Sequence, residues 1–332
     1  MEPDSSDPRE VEGVLNPSAC RGPDGELYLL PRLVAAGNYS CIGLARVHID
    51  GLGDPIGVER MGVVLEPEAP YELNSLTGGG VEDPRVTYLA SQQLYVMTYT
   101  ALGEDGARLA LAVSQDLVQW RRLGLACFAP YHGFDLGTLE NKDGLLFPEP
   151  VQAPDGQLAL ALIHRPDFRD ALPSLRERRP SMWISYAPVA ELQAGGPLMF
   201  SQHHLLAAPE QSWERIKVGG GTPPVRVEGG WLVLYHGVSD SDPRAGLRYS
   251  AGFMLLDTCD PRRVLFRSEE SILSPRIAAE RMGTVPQVIF PEGIDLHADG
   301  TLDVYYGMAD SRIGVARGNI ADLLAPELAR AA

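Results

Sequence analysis

The chain has 332 residues, 45% of them apolar, with 35 glycines and 27 prolines and no low-complexity tract. It is long enough for a sizeable core, and the composition suits many short strands joined by turns rather than disorder. Asp and Glu total 44 against 28 Lys and Arg, a formal charge of −16, which argues against a nucleic-acid binder because that class needs a basic footprint.

The N-terminal MEPDSSDPRE is acidic and polar, unlike a signal peptide, and no apolar run reaches membrane-spanning length. The expectation is therefore a cytoplasmic protein with no membrane partner, a loose tail over residues 1–12 and a single domain over 13–332. Cys20, Cys41, Cys127 and Cys259 are isolated; without a C-x-x-C pair they suggest neither a zinc site nor a disulfide framework.

One pattern then recurs five times along the chain. A Pro-containing turn leads into a strand, then a Gly/Asp turn, a strong apolar strand, a polar loop and another strand. The copies begin at NPSACRGPDGELYLLPRL, EDPRVTYLASQQLYVMTYT, FPEPVQAPDGQLALALIHRP, TPPVRVEGGWLVLYHGV and FPEGIDLHADGTLDVYYGMAD. Their marker prolines are Pro17, Pro84, Pro148, Pro224 and Pro291, at near-even intervals. Asp24-Gly25, Asp155-Gly156, Gly229-Gly230 and Asp299-Gly300 are hairpin signals. Repeated antiparallel units of this length predict an all-β fold, a five-bladed β-propeller, followed by a short C-terminal helix in IADLLAPELARA. A sandwich does not account for five equivalent hairpins, and the coils of a β-helix are much shorter.

In a propeller blade the start of the first strand and the end of the second lie at the same end of the channel. Two sets of loops thus share one rim. The first set holds Asn16, Glu82-Asp83, Asn141-Lys142-Asp143 with Glu149, Lys217 with Thr222, and Glu292; the second holds Arg32, Tyr99, His164-Arg165, His236 and Asp310. A pocket of convergent polar groups is the default site. Singly, each residue has an ordinary structural role open to it: turn residue, solvated charge, loop cap. The glycine runs 78–80 and 219–221 precede these positions and permit close backbone approach, while neither carries the G-K-[ST] of a nucleotide loop. Tyr39, Tyr99, Trp213, Tyr235 and Tyr249 are available to stack on sugar rings, although packing between blades accounts for most of them.

The segments GGGVEDPRV, NKDGLLFPE, HRP, WERIKVGGGTPP, GWLVLYHGV, VPQVIFPEG and YYGMADSRIGVA together resemble glycoside hydrolase family 130, the β-mannoside phosphorylases and related β-mannosidases. The likeness runs from about Asn16 to Arg317. It implies a five-bladed propeller and inversion at the anomeric carbon, with the aspartate of E-D-P, here Asp83, as proton donor. It implies phosphate contacts from the segments holding Lys142-Asp143, Arg165, Lys217 and His236, and a mannosyl contact from Asp310. Asn16, Arg32, Glu82, Asp143, Asp310 and Tyr249 form the expected sugar-contacting set.

The expected activity is phosphorolysis of short β-mannosides to mannose 1-phosphate. Inorganic phosphate is the co-substrate, with no other cofactor and no metal. Phosphate is already a nucleophile, so the protein must orient a dianion rather than supply a base. Lys142-Asp143 replaces the Arg-Asn of many phosphorylases in the family, and Asp143 repels phosphate unless it is paired. Two alternatives stand. One is an inverting β-mannosidase, whose base would be Glu149 or Glu292 across a water-sized gap from the acid. The other is a non-catalytic sugar-binding propeller. The partners expected are a carbohydrate and phosphate, with a homo-oligomer compatible with the sequence.

Overall fold

The computed structural model describes residues 1–74, 78–169, 175–240 and 246–324. These residues are mostly β-strand, with a few short helices such as Val189–Ala194 and Ala278–Arg281. Antiparallel pairing gathers the long strands into five successive runs, the first two joined in one eight-stranded sheet by the parallel contact of Tyr39 and Ser40 with Gly79 and Gly80. The first runs through Gly13–Arg21, Leu27–Ala35, Tyr39–Ile49 and Pro55–Leu65, and the second through Gly79–Leu89, Leu94–Gly103, Gly106–Ser114 and Arg121–Leu125. The third contains Asn141–Leu146, Leu158–Pro166, Met182–Pro188 and Met199–Ala207. Lys217–Gly220, Gly230–Ser239, Arg248–Leu256 and Val264–Arg267 make the fourth; Ile289–Leu296, Thr301–Met308 and Arg312–Asn319 make the fifth.

Apolar runs rather than strict alternation mark the second strand of each run, because both of its faces are covered. All ten residues of Gly230–Ser239 are buried. The hairpin before it turns on Gly229 at φ 88°, and the equivalent turns use Gly25, Gly156 and Gly300 at 83–85°, a backbone region that glycine enters without strain.

Hydrophobic clusters lie between neighbouring runs. Leu111, Leu146, Leu162 and Trp183 join the second to the third; Phe147, Ile163, Trp231 and Val233 join the third to the fourth. Leu234, Phe253, Ile294 and Val304 join the fourth to the fifth. Ala19, Leu27, Leu29 and Tyr305 bring the fifth back against the first. Val14 N–H donates to the Ser311 carbonyl across that closure at 3.1 Å.

Residues 1–12, read from sequence as a loose tail, lie against the body. The Met1 amino group donates to the Ile313 carbonyl at 2.7 Å, and Glu10 is buried beneath Arg60, 2.8 Å away. At the other end a helical turn covers 320–324, and Leu324 packs into the cluster between the fourth and fifth runs. The remainder of the expected C-terminal helix lies outside the described residues.

A buried glutamate recurs where the chain enters three of the runs. Glu72 accepts from the N–H groups of Glu68 and Ala69, from Tyr99 Oη at 2.6 Å and from Arg122. Glu214 repeats this with Glu210 N, Gln211 N, Tyr235 Oη and Arg267. Glu280 does so with Arg276 N, Ile277 N and Tyr306 Oη. Each carboxylate ties an entering loop to the second strand of its run, and its charge is matched by donors. Tyr99 and Tyr235 are thus committed to structure rather than to stacking on a ligand.

The marker prolines do not occupy equivalent places. Pro17 and Pro84 sit inside first strands, and Pro291 opens the corresponding irregularity of the fifth. Pro148 and Pro224 follow their first strands and precede the short strands Val151–Gln152 and Val225–Val227. The same letters, F-P-E-P at 147–150 and F-P-E-G at 290–293, therefore stand at different points of the repeat.

Candidate active site

Several polar residues on the inner rim stand at β-bulges. The pairing of the first strand with the second slips between Leu15 and Ser18, between Glu82 and Arg85, between Lys142 and Leu145, and between Pro291 and Gly293. A bulge inserts one unpaired residue and re-aims its side chain. The inserted residues include Asn16, Asp83 and Asp143, with φ of 46°, 51° and 58°. Asn and Asp tolerate this left-handed region better than most residues, so a repeated backbone device explains why those residue types stand there.

These residues open onto one cavity of about 220 Å³. It is lined by Asn16, Arg32, Glu82, Asp83, Lys142, Asp143, Arg165, Lys217, His236, Tyr249 and Asp310, with Val285, Val288 and Phe290 as its apolar part. Asn16 Nδ2 donates to Asp83 Oδ1 at 2.9 Å, and Arg32 Nη1 approaches the same oxygen at 3.3 Å. Arg32 also binds Glu82 Oε1 at 2.6 Å and Ser40 Oγ at 2.8 Å. Arg165 Nε donates to Asp143 Oδ2 at 2.5 Å. Lys217 Nζ lies 5.0 Å from the centre of the Tyr249 ring, a cation–π distance.

Electrostatics divide the carboxylates into two kinds. Burial pushes the Asp83 carboxyl up, but Arg32, Arg85 and the Asn16 hydrogen bond outweigh it and hold it below the ordinary range. Asp143 is likewise buried, yet Arg165, His236 and Arg85 hold it well below that range. Burial wins at Glu82, which is pushed up despite Arg32. It also wins at Asp310, pushed up to about 6 with the help of the Asp83 charge. Among the cations, burial and the neighbouring Arg165 lower the Lys217 ammonium to about 8. His236 is pushed down to about 3, chiefly by burial. It is a neutral imidazole whose Nδ1–H donates to the Gly220 carbonyl at 3.2 Å, because a carbonyl can only accept.

Eleven of the thirteen residues given a catalytic, phosphate-binding or sugar-binding role from sequence line this cavity. Glu149 does not; it is exposed and pairs with Arg226 at 3.4 Å. Its expected place on the rim came from aligning F-P-E-P with F-P-E-G, and the two differ in register. Glu292 is absent from the lining as well, being fully buried 2.8 Å from Arg85. Asp143, whose charge posed a problem for phosphate, is paired.

Arg85 is the residue that sequence reasoning passed over. Its side chain is 1% exposed, and it donates to the carbonyls of Asp83, Gly220 and Gly221. It also approaches Asp143 at 3.7 Å. The available signal was an arginine two residues past Asp83 in an otherwise apolar strand. The glycine run at 219–221 has a different use from close approach to a ligand. A methyl group at Gly219 would overlap the Asp143 carboxylate and crowd His236 and Arg165, so the missing side chain makes room for the cavity wall. Among the described residues, no group of three His, Cys, Asp or Glu side chains is arranged to hold a metal ion. Likewise, none of the described helices is long and apolar enough to cross a membrane.

A family model described as beta-1,4-mannooligosaccharide phosphorylase matches residues 2–326. A 1,2-beta-oligomannan phosphorylase of Thermoanaerobacter sp. (strain X514) is 32% identical over 256 residues, 76% of this chain and 71% of that one. A beta-1,4-mannooligosaccharide phosphorylase of Ruminococcus albus is 30% identical over 276 residues, covering 83% and 72% of the two chains. The solved structure of beta-1,2-mannobiose phosphorylase from Listeria innocua with beta-1,2-mannobiose superposes with a TM-score of 0.73 at 25% identity, over 95% of this chain and 91% of that one. With a match across nearly its whole length and relatives at this identity, the chain belongs to glycoside hydrolase family 130.

Proposed function

We propose that the protein is an inverting β-mannoside phosphorylase that transfers a mannosyl unit from short β-mannosides to inorganic phosphate, with Asp83 as the proton donor. The fold reading that goes with it is a five-bladed β-propeller, each antiparallel run being one blade and the cavity lying at one mouth of the channel. One observation carries the reading: Asp83 shares a cavity of about 220 Å³ with Lys142, Arg165 and Lys217. An acid and a group of cations in one sugar-sized space suit a reaction whose nucleophile is an anion.

A phosphate oxygen attacks the anomeric carbon as the bond to the leaving oxygen breaks. Asp83 gives its proton to that oxygen, directly or through a mannosyl hydroxyl, and mannose 1-phosphate forms with inverted configuration. Before phosphate binds, Arg32 and Arg85 hold Asp83 toward its ionised form. Phosphate brings negative charge beside Lys142, one of the cations depressing Asp83, and so returns Asp83 toward its protonated form. After transfer, Asn16 and Arg32 stabilise the carboxylate left behind.

Hydrolysis on the same scaffold needs a second carboxylate as base. Glu149 and Glu292 both lie off the cavity, Glu82 is paired with Arg32 and Asp143 with Arg165, which leaves Asp310, pushed up to about 6, as the group available to activate water. Incubation with β-1,2- and β-1,4-mannobiose, with and without phosphate, separates the two. Mannose 1-phosphate formed only with phosphate is the expected result. Free mannose released at the same rate in phosphate-free buffer would overturn the proposal.

A further inference from the structure

A second cavity, of about 380 Å³, adjoins the first and shares Arg165 and Lys217 with it. Its other charged lining residues are Arg169, Arg178 and Arg179. Arg169 pairs with Asp167 and Arg179 with Glu177, each at 2.5 Å. Arg178 donates to the Arg169 carbonyl, and neither it nor Lys217 has a carboxylate partner among the described residues. The lining is therefore net positive inside a protein of formal charge −16. A net charge of that sign repels a dianion on the whole, whereas a cleft lined by one sign of charge concentrates its counter-ion.

We infer that this arginine-lined cavity is a second anion site, the vestibule through which inorganic phosphate reaches Arg165 and Lys217, separate from the entrance used by the sugar. The inference rests on the phosphorylase reading above. Inverting displacement puts the nucleophile and the leaving group on opposite faces of the sugar ring. The vestibule shares lining only with the cations and with neither Asp83 nor Asp310, so it serves the face from which phosphate attacks. Arg178 is exposed in this wall and outside the inner cavity, which makes it the residue to change.

The test uses Arg178→Glu and Arg178→Ala in the full chain, with mannobiose and phosphate varied separately at low and high sodium chloride. In Arg178→Glu, kcat/KM for phosphate is expected to fall about tenfold at low salt and only about twofold at high salt, where screening shortens the field. Arg178→Ala should fall in between. A loss confined to kcat/KM for mannobiose, or no loss in either, overturns the inference. Should wild type prove independent of phosphate, the phosphorylase reading fails by itself. Calorimetric titration with inorganic phosphate then decides the vestibule: equal affinity in wild type and Arg178→Glu, at equal Tm, overturns it, and weakened affinity supports it.

Discussion

The Arg85 guanidinium lies 2.8 Å from the Glu292 carboxylate, with both side chains at most 1% exposed. Asp143 approaches the same guanidinium at 3.7 Å, and the Asp83 carbonyl accepts from it at 2.9 Å. One cation thus underlies three acids. Burial pushes Glu292 well above the ordinary range against the pull of Arg85, and the charges of Asp83 and Asp143 add to the push. Of the three acids Glu292 is the one displaced toward its protonated form, whereas Asp83 and Asp143 are held toward their ionised forms.

Glu292→Gln, which mimics the protonated acid, should therefore cost little, under about 1.5 kcal/mol. Arg85→Met strips the cation from the acids and should cost roughly 3–5 kcal/mol. The sign with pH follows from the raised value. What Glu292 contributes is complete at acid pH and is lost as pH rises through its folded-state value, so Glu292→Gln should flatten the alkaline fall in stability. Urea unfolding across pH measures both. Equal destabilisation by the two substitutions would place the proton elsewhere.

With Asp83 as the proposed acid, Asp83→Asn keeps the Asn16 contact side and loses the transferable proton. Turnover should drop by about 10²–10⁴-fold, with KM for mannobiose changed far less. Steady-state release of mannose 1-phosphate is the readout. A variant within tenfold of wild type would remove Asp83 from the chemistry.

Burial, more than any neighbouring charge, lowers the Lys217 ammonium to about 8. The charge is present below that pH and lost above it, so kcat/KM for phosphate should decline as pH rises through about 8. Arginine stays charged throughout this range. Lys217→Arg should therefore abolish the alkaline limb even if it lowers the plateau. Persistence of the limb in Lys217→Arg would assign it to another group.

Glu72 is held below the ordinary carboxyl range because Arg122, Tyr99 and two backbone N–H groups outweigh the effect of burial. Glu72→Ala leaves those donors unmatched and should cost roughly 3–5 kcal/mol, with KM for either substrate little changed. Since the folded value is depressed, this stability is full above the ordinary carboxyl range and disappears as pH falls through the folded value. Thermal unfolding between pH 3 and 7 should show wild type and Glu72→Ala converging at the acid end. Parallel curves would mean that the carboxylate charge is not the cause.

Much of the candidate site was readable before any coordinates. Asn16 and Asp83 stand 67 residues apart in sequence, yet their common place ahead of a proline in successive repeats put them on one rim. Glu149 failed for a local reason. Its F-P-E-P looks like the F-P-E-G of Glu292, but a bulge at Asp143 had already fixed the register of that run. Arg85 was missed because an arginine in an apolar strand shows its purpose only when the carbonyls of Gly220 and Gly221, some 135 residues away, are seen around it.

What the sequence determined by itself was the strand periodicity, the turn positions and the recurrence of a polar residue at the head of each repeat, all consequences of short-range sterics and of which side chains avoid water. Which carboxylates stay ionised was decided only in three dimensions. Asp83, Asp143, Glu292 and Asp310 have the same chemistry as free side chains; burial and the distances to Arg32, Arg85 and Arg165 separate them. The distances of Arg32 to Asp83, and of Arg85 to Glu292 and Asp143, join residues from different runs, and no local rule of sequence contains them.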